Sequence, residues 1–306
     1  MNIRFYVGLI LVILSYLEFL ISSYSPGFYF AGFFWFLFYF GLILICDGIT
    51  VKIYKKSLLE SIFRNKKNLF RFLLVSTIGG IGLDLFGQWL GKLWFYPYFT
   101  LSKYVLIYIP GWALYWLLIV ESYLAIKALL DLGIKGKKFV KKYYNFEKKL
   151  YFTLGVLGII LLPLSLFLLI KGYIANGGAF NLSMPLLYEV NFVYILLGFF
   201  GVWFLFEFIE YLNKETSLLK NIIHKYFNPF LAIIFSSFIL AVAMETKNFF
   251  SQYWIYLNWP LENIILFGIP FLIYVAWPLH YIAFLSLFKI IGKDLTSEIW
   301  KGDTIK

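Results

Sequence analysis

The chain has 306 residues, is 62% hydrophobic and only 14% charged, with a mean hydropathy of +0.82. Soluble domains lie near about 45–50% apolar and about 25% charged, so a soluble fold is excluded. The formal net charge of +11 lies in short loops between apolar runs. That is a topogenic distribution, not a nucleic-acid surface, and no nucleic-acid partner is expected. Cys46 is the one cysteine, which excludes an internal disulfide and a cysteine-rich metal centre. The two histidines, His224 and His280, fall in a basic loop and an apolar run. No metal site and no cofactor are expected from them.

Eight apolar runs follow, each close to the ~20 residues a membrane-spanning helix needs. The first, 5–24, carries Glu18, follows a single basic residue and lacks an A-x-A-like cleavage site. It reads as a retained helix and not a signal peptide. The second is 28–46. The third, 70–93, holds Gly79-Gly80, Gly82, Gly87 and Gly91, which permit close approach of a neighbour, together with Asp84 and Gln88. Its glycines lack the Lys-Ser/Thr of a phosphate loop. The fourth, 103–126, contains Pro110, expected to kink it, and Glu121 near its inner end. The fifth and sixth are 150–170 and 188–211, the latter with Glu207; Glu121 and Glu207 read as groups that snorkel to water. The seventh, 229–250, carries Glu245 and Asn248. The eighth, 263–288, holds Pro270 and Pro278, both expected to kink it, and His280, read as a packing residue.

Lysine and arginine alternate strictly between these runs. The N-terminus, 47–71, 127–149, 212–228 and the tail hold 23 of them, against 4 (Lys92, Lys103, Lys171 and Lys247) in the intervening loops. The positive-inside rule then gives eight crossings with both termini in the cytoplasm. The expected fold is an all-α integral membrane protein of the prokaryotic plasma membrane. Residues 1–134 form a first four-helix repeat, 135–149 a basic cytoplasmic linker, and 150–306 a second four-helix repeat with a short tail.

The repeat is written in the sequence. Trp94-Phe95-Tyr96 recurs 160 positions later as Trp254-Ile255-Tyr256, Leu101 as Leu261, and Ile109-Pro110 as Ile269-Pro270. Four helices per half make the repeats parallel, related by an axis along the membrane normal. Asp84 precedes Trp94 by ten positions and Glu245 precedes Trp254 by nine. At 1.5 Å per residue, Asp84 lies about 15 Å below the interface. Buried carboxylates in a membrane point to a functional cavity. Asp84 and Glu245 are therefore the candidate acids, with Gln88 and Asn248 one turn nearer the outside to orient them. Glu18 sits at comparable depth, and Trp94, Tyr96, Trp254 and Tyr256 would line the outer mouth as ligand-binding residues.

The order acid, Gly91, Trp94-x-Tyr96, Pro110, with Tyr98-Phe99-Thr100-Leu101 between, resembles the repeat of the membrane-embedded carotenoid cyclases, the lycopene cyclase family. The second half keeps Glu245, Trp254, Tyr256 and Pro270. The resemblance covers about 40 residues per half and implies a shared helix-pair geometry and an apolar, isoprenoid-sized cavity. It departs from the family at the paired glutamates that should follow each proline, where Trp112-Ala113 and Leu272-Ile273 stand instead. The family also implies three helices per unit, against the four counted here.

Three function classes fit these features. The first is a protein that binds or modifies an isoprenoid or other long apolar lipid, with acid catalysis by Asp84 or Glu245 in the enzymatic form. The second is a lipid or small-molecule transporter with parallel repeats, and the third a non-catalytic membrane subunit. The expected partners are the apolar ligand and the surrounding membrane lipids.

Overall fold

A computed structural model describes residues 2–18, 28–133, 144–177, 190–292 and 299–300. Nearly all of it is helix. In chain order the elements are α1 (Ile3–Ser15), α2 (Phe28–Tyr54), the short α3 (Leu58–Phe63), α4 (Lys66–Leu90), strand β1 (Trp94–Phe95), α5 (Leu101–Gly133) and α6 (Tyr144–Ala175). They continue with α7 (Phe192–Leu212), the short α8 (Leu218–Ile223), α9 (Asn228–Ser251), β2 (Ile255–Tyr256), β3 (Ile265–Leu266), β4 (Ile269–Pro270) and α10 (Phe271–Gly292). Among the described residues seven helices are long and apolar enough to cross a membrane. The chain is a multi-pass helical membrane protein.

The count differs from the expected eight at the first run. There α1 has 13 helical residues, short of a span, and 19–24 lie outside the described residues. Other boundaries also differ. The start of the eighth run, 263–270, is not helical; β3 and β4 pair there, Ile265 opposite Pro270. Pro270 therefore precedes α10 and does not kink it, while Pro278 does lie inside that helix. Pro110 lies inside α5, two residues after a π-helical stretch, Tyr104–Tyr108, that interrupts the regular helical hydrogen bonding just ahead of it. Asp84 opens a second π-helical stretch, Asp84–Leu90.

Apolar burial and matched small residues set the packing. α1 lies along α2 where a Cβ on Gly41 would come within 2.8 Å of the Gly8 carbonyl. α6 lies along α7 in the same way, a Cβ on Gly201 falling 2.7 Å from the Leu162 nitrogen. Gly41 and Gly201 are 160 positions apart. α2 packs on α5 and α7 on α10; α4 packs on both α5 and α10, and α9 on both α10 and α5. α5 is central, buried without a break from Tyr115 to Ala125, a stretch that includes Glu121 and Ser122.

The ends opposite the strands hold the short helices. Ser57 caps α3 by accepting from the Glu60 amide at 3.0 Å, and Ser217 caps α8 by accepting from the Lys220 amide at 3.2 Å. The α2 carboxylate Asp47 accepts from the Ser57 hydroxyl at 2.7 Å. The α7 carboxylate Glu207 accepts from the Leu219 amide and the Trp203 indole, both at 3.1 Å. Asp47 and Glu207, like Ser57 and Ser217, stand 160 positions apart. Glu207 therefore does not snorkel to water; it braces a helix start. Glu121 is buried too, beside Asp47. Trp300 fills the same end, its indole donating to Glu210 at 2.8 Å and its carbonyl accepting from Asn221 at 2.9 Å.

Candidate functional site

The site is built where the two Trp-x-Tyr segments meet. β1 and β2 pair antiparallel, Trp94 opposite Tyr256 and Phe95 opposite Ile255. Phe95 and Ile255 are 160 positions apart, so the register centres on a residue and its counterpart. The Leu257 amide and the Trp259 indole both donate to the Leu93 carbonyl at 2.9 Å, and Asn258 donates to the Lys92 carbonyl at 3.0 Å. This clasp joins segments from the two halves of the chain and roofs the space between them.

Each motif tyrosine reaches back to the acid of its own half. The Tyr96 hydroxyl donates to Asp84 Oδ1 at 2.6 Å, and the Tyr256 hydroxyl donates to Glu245 Oε1. Beyond that the halves differ. Asp84 Oδ2 also accepts from the Tyr104 hydroxyl at 2.7 Å and the Trp112 indole at 2.8 Å. The positions matching Tyr104 and Trp112 are Ile264 and Leu272, which have nothing to donate. Glu245 Oε2 is accordingly buried with no hydrogen bond of ordinary geometry among the described residues, the Trp254 indole lying alongside. Gly80 makes room for Trp112: a Cβ there would fall 2.4 Å from its ring. Gly87 does the same for Trp94, at 2.0 Å.

The amides take other roles than orienting the acids. Asn248 donates to the Trp254 carbonyl at 2.8 Å and accepts from the Trp254 amide at 3.2 Å, fixing the motif backbone at both polar groups. Gln88 is buried, and its Oε1 has no hydrogen bond among the described residues. Glu18 does not join the site as a ligand group. It forms a buried ion pair with Lys247 at 2.7 Å, with the Trp35 ring 5.4 Å from the ammonium. Lys247 is thus a residue of α9 and not of an outer loop, a pairing that compensates both charges.

Under the clasp lies a cavity of about 200 Å³. Trp94, Tyr96, Trp254 and Tyr256 line it, and Asp84, Glu245, Gln88, Asn248 and Glu18 do not. The acids stand behind the tyrosines. The flanks come from α2 (Gly32, Phe36, Tyr39) and α7 (Phe192, Leu196, Phe199), three pairs again 160 positions apart. The far end is closed by Tyr115, Trp277 and His280, with the Tyr115 hydroxyl 2.7 Å from His280 Nε2. Reading the sequence missed Tyr115 and His280 as wall residues, because nothing in their spacing links α5 to α10. It missed α2 and α7 although their offset was visible.

Fold and site together define a helical, multi-pass membrane protein with an aromatic cluster enclosing a cavity. Protein-family models, curated proteins and solved structures were all compared with the chain, and none matches it.

Proposed function

We propose that the protein binds an isoprenoid or other long apolar lipid, holding one end of it in the cavity beneath the clasp. The observation that carries this reading is the wall itself. Aromatic and aliphatic side chains make up nearly all of it, and among the described lining residues none is Asp, Glu, Lys or Arg. Such a surface gains from apolar contact and penalises charge. Size sets a limit. A cavity of about 150 Å³ holds benzene, so about 200 Å³ takes a ring or a short branched segment and not a whole long chain. Phe36 lines the cavity and is also 51% exposed, which leaves a side opening for the remainder of the ligand.

The same reading takes residues 1–134 and 150–306 as parallel four-helix repeats, with 5–24 as the eighth crossing and both termini cytoplasmic. Its support is the centred register of β1 on β2 and the recurrence of Gly41, Asp47 and Ser57 as Gly201, Glu207 and Ser217. In this view the carotenoid cyclases share the architecture and not the reaction, since Trp112 and Leu272 replace a family acid in each half. Binding is favoured over acid catalysis because Asp84 and Glu245 reach the cavity only through the hydroxyls of Tyr96 and Tyr256.

Gly111 tests the reading. It lines the cavity, and a Cβ added there meets nothing within 4 Å, so Gly111→Leu fills the space without displacing the fold. Native mass spectrometry of gently extracted protein should find a bound apolar lipid on the wild type and at least a tenfold loss of it in Gly111→Leu. Equal retention by both proteins would overturn the proposal.

A further inference from the structure

The geometry points to the Tyr115–His280 pair as the recognition site for a single neutral hydroxyl, which makes the ligand an apolar chain ending in an alcohol. This rests on the cavity reading above and narrows it. Tyr115 and His280 both line the cavity, and both are largely buried. Counted from the start of α10, His280 lies nine residues in, about 13 Å deeper at 1.5 Å per residue. The imidazole stacks on the Tyr115 ring with centroids 6.0 Å apart and meets Trp277 edge-on at 4.9 Å. Both rings are thereby held in place.

Hydrogen-bond capacity decides the class of head group. A tyrosine hydroxyl has one donor and two acceptor sites, and its one bond in this pair is to His280 Nε2 at 2.7 Å. If Tyr115 donates, both acceptor sites remain; if His280 donates, one remains and the tyrosine proton is freed. Either way an acceptor stays available within the cavity wall. A ligand that brings its own donor, an O–H, is matched in both cases. Charged heads are excluded by the wall. A phosphate or carboxylate would be desolvated with no Lys or Arg among the described lining residues to pair with it. Entry past the half-exposed Phe36 lets the hydroxyl lead and the chain trail into the bilayer.

The test compares farnesol with the hydrocarbon farnesene, at equal mole fraction in lipid nanodiscs, by displacement of a fluorescent polyene. The wild type should bind farnesol roughly 3- to 10-fold more tightly, the factor one neutral hydrogen bond supplies. Tyr115→Phe should erase that preference, bringing the ratio of farnesol to farnesene affinity to about one, and His280→Phe should reduce it. The wild-type comparison needs no variant, so it decides even if a variant folds poorly. Equal affinity for the two probes, or a preference that survives Tyr115→Phe, would overturn this inference and leave the cavity reading standing. Failure of the wild type to bind either probe would overturn both.

Discussion

Asp84 and Glu245 occupy corresponding places and each takes a hydroxyl from its own motif tyrosine, yet their second oxygens live in different surroundings. Asp84 is held by three donors, from Tyr96, Tyr104 and Trp112. Glu245 is held by Tyr256, and its Oε2 is unbonded among the described residues. Replacing a carboxylate by an amide turns one acceptor oxygen into a donor. In Asp84→Asn that NH2 must face at least one O–H or N–H already aimed at it, and leaving a buried donor unmatched costs about 1–3 kcal/mol. In Glu245→Gln the NH2 can take the place of Oε2, which accepts no hydrogen bond of ordinary geometry among the described residues and has only the Trp254 indole alongside. Asp84→Asn should therefore lower stability by about 2 kcal/mol or more and Glu245→Gln by less than about 1 kcal/mol, read as the shift of the thermal unfolding midpoint in detergent. Equal shifts would mean the two acids are equivalent after all. The sequence pairs these carboxylates by position. It could not reveal their difference, because that depends on Tyr104 and Trp112 folding back over Asp84 from 20 and 28 residues away.

Elements were legible where hydropathy alone decides them, and not where backbone polar groups do. The long apolar helices follow from composition. The clasp does not: Trp94–Phe95 and Ile255–Tyr256 are two residues each, too short for any alternating pattern to announce a strand. Pro270 in an extended pair and the π-helical stretches around Asp84 and Tyr104 were hidden for the same reason. Lys247 looked like an outer-loop charge because its partner, Glu18, lies 229 residues away. Ser57 and Ser217, by contrast, were readable at the same offset as the aromatic motifs and add the helix ends opposite the clasp to the match. Asn248 tests the clasp as an element. Asn248→Ala frees both backbone polar groups of Trp254, so hydrogen–deuterium exchange over 253–257 should quicken at least tenfold while exchange in α5 stays unchanged. Unaltered exchange at the Leu257 amide would show that the clasp stands without it.

At the scale of the molecule, one strand from each half of the chain roofs the space between the halves, and the proposed apolar ligand lies beneath. Flanks from α2 and α7 and a floor from α5 and α10 follow from that arrangement. The side-to-side symmetry of the cavity was implicit in the 160-residue offset, but its volume and its Tyr115–His280 floor emerge only from packing. The central claim is that the halves meet about a two-fold centre at Phe95 and Ile255, on the outer side of the membrane. Directly opposed residues of an antiparallel pair lie about 4.5–5.5 Å apart at Cα, within disulfide range. The most direct measurement is cross-linking of Phe95→Cys with Ile255→Cys in a chain whose own cysteine is removed by Cys46→Ala. Mild oxidation should consume both thiols together, a membrane-impermeant maleimide added outside sealed cells should block the reaction, and Phe95→Cys with Ile265→Cys should stay reduced. Two thiols that remain free after oxidation, or that only a permeant reagent reaches, would contradict the account.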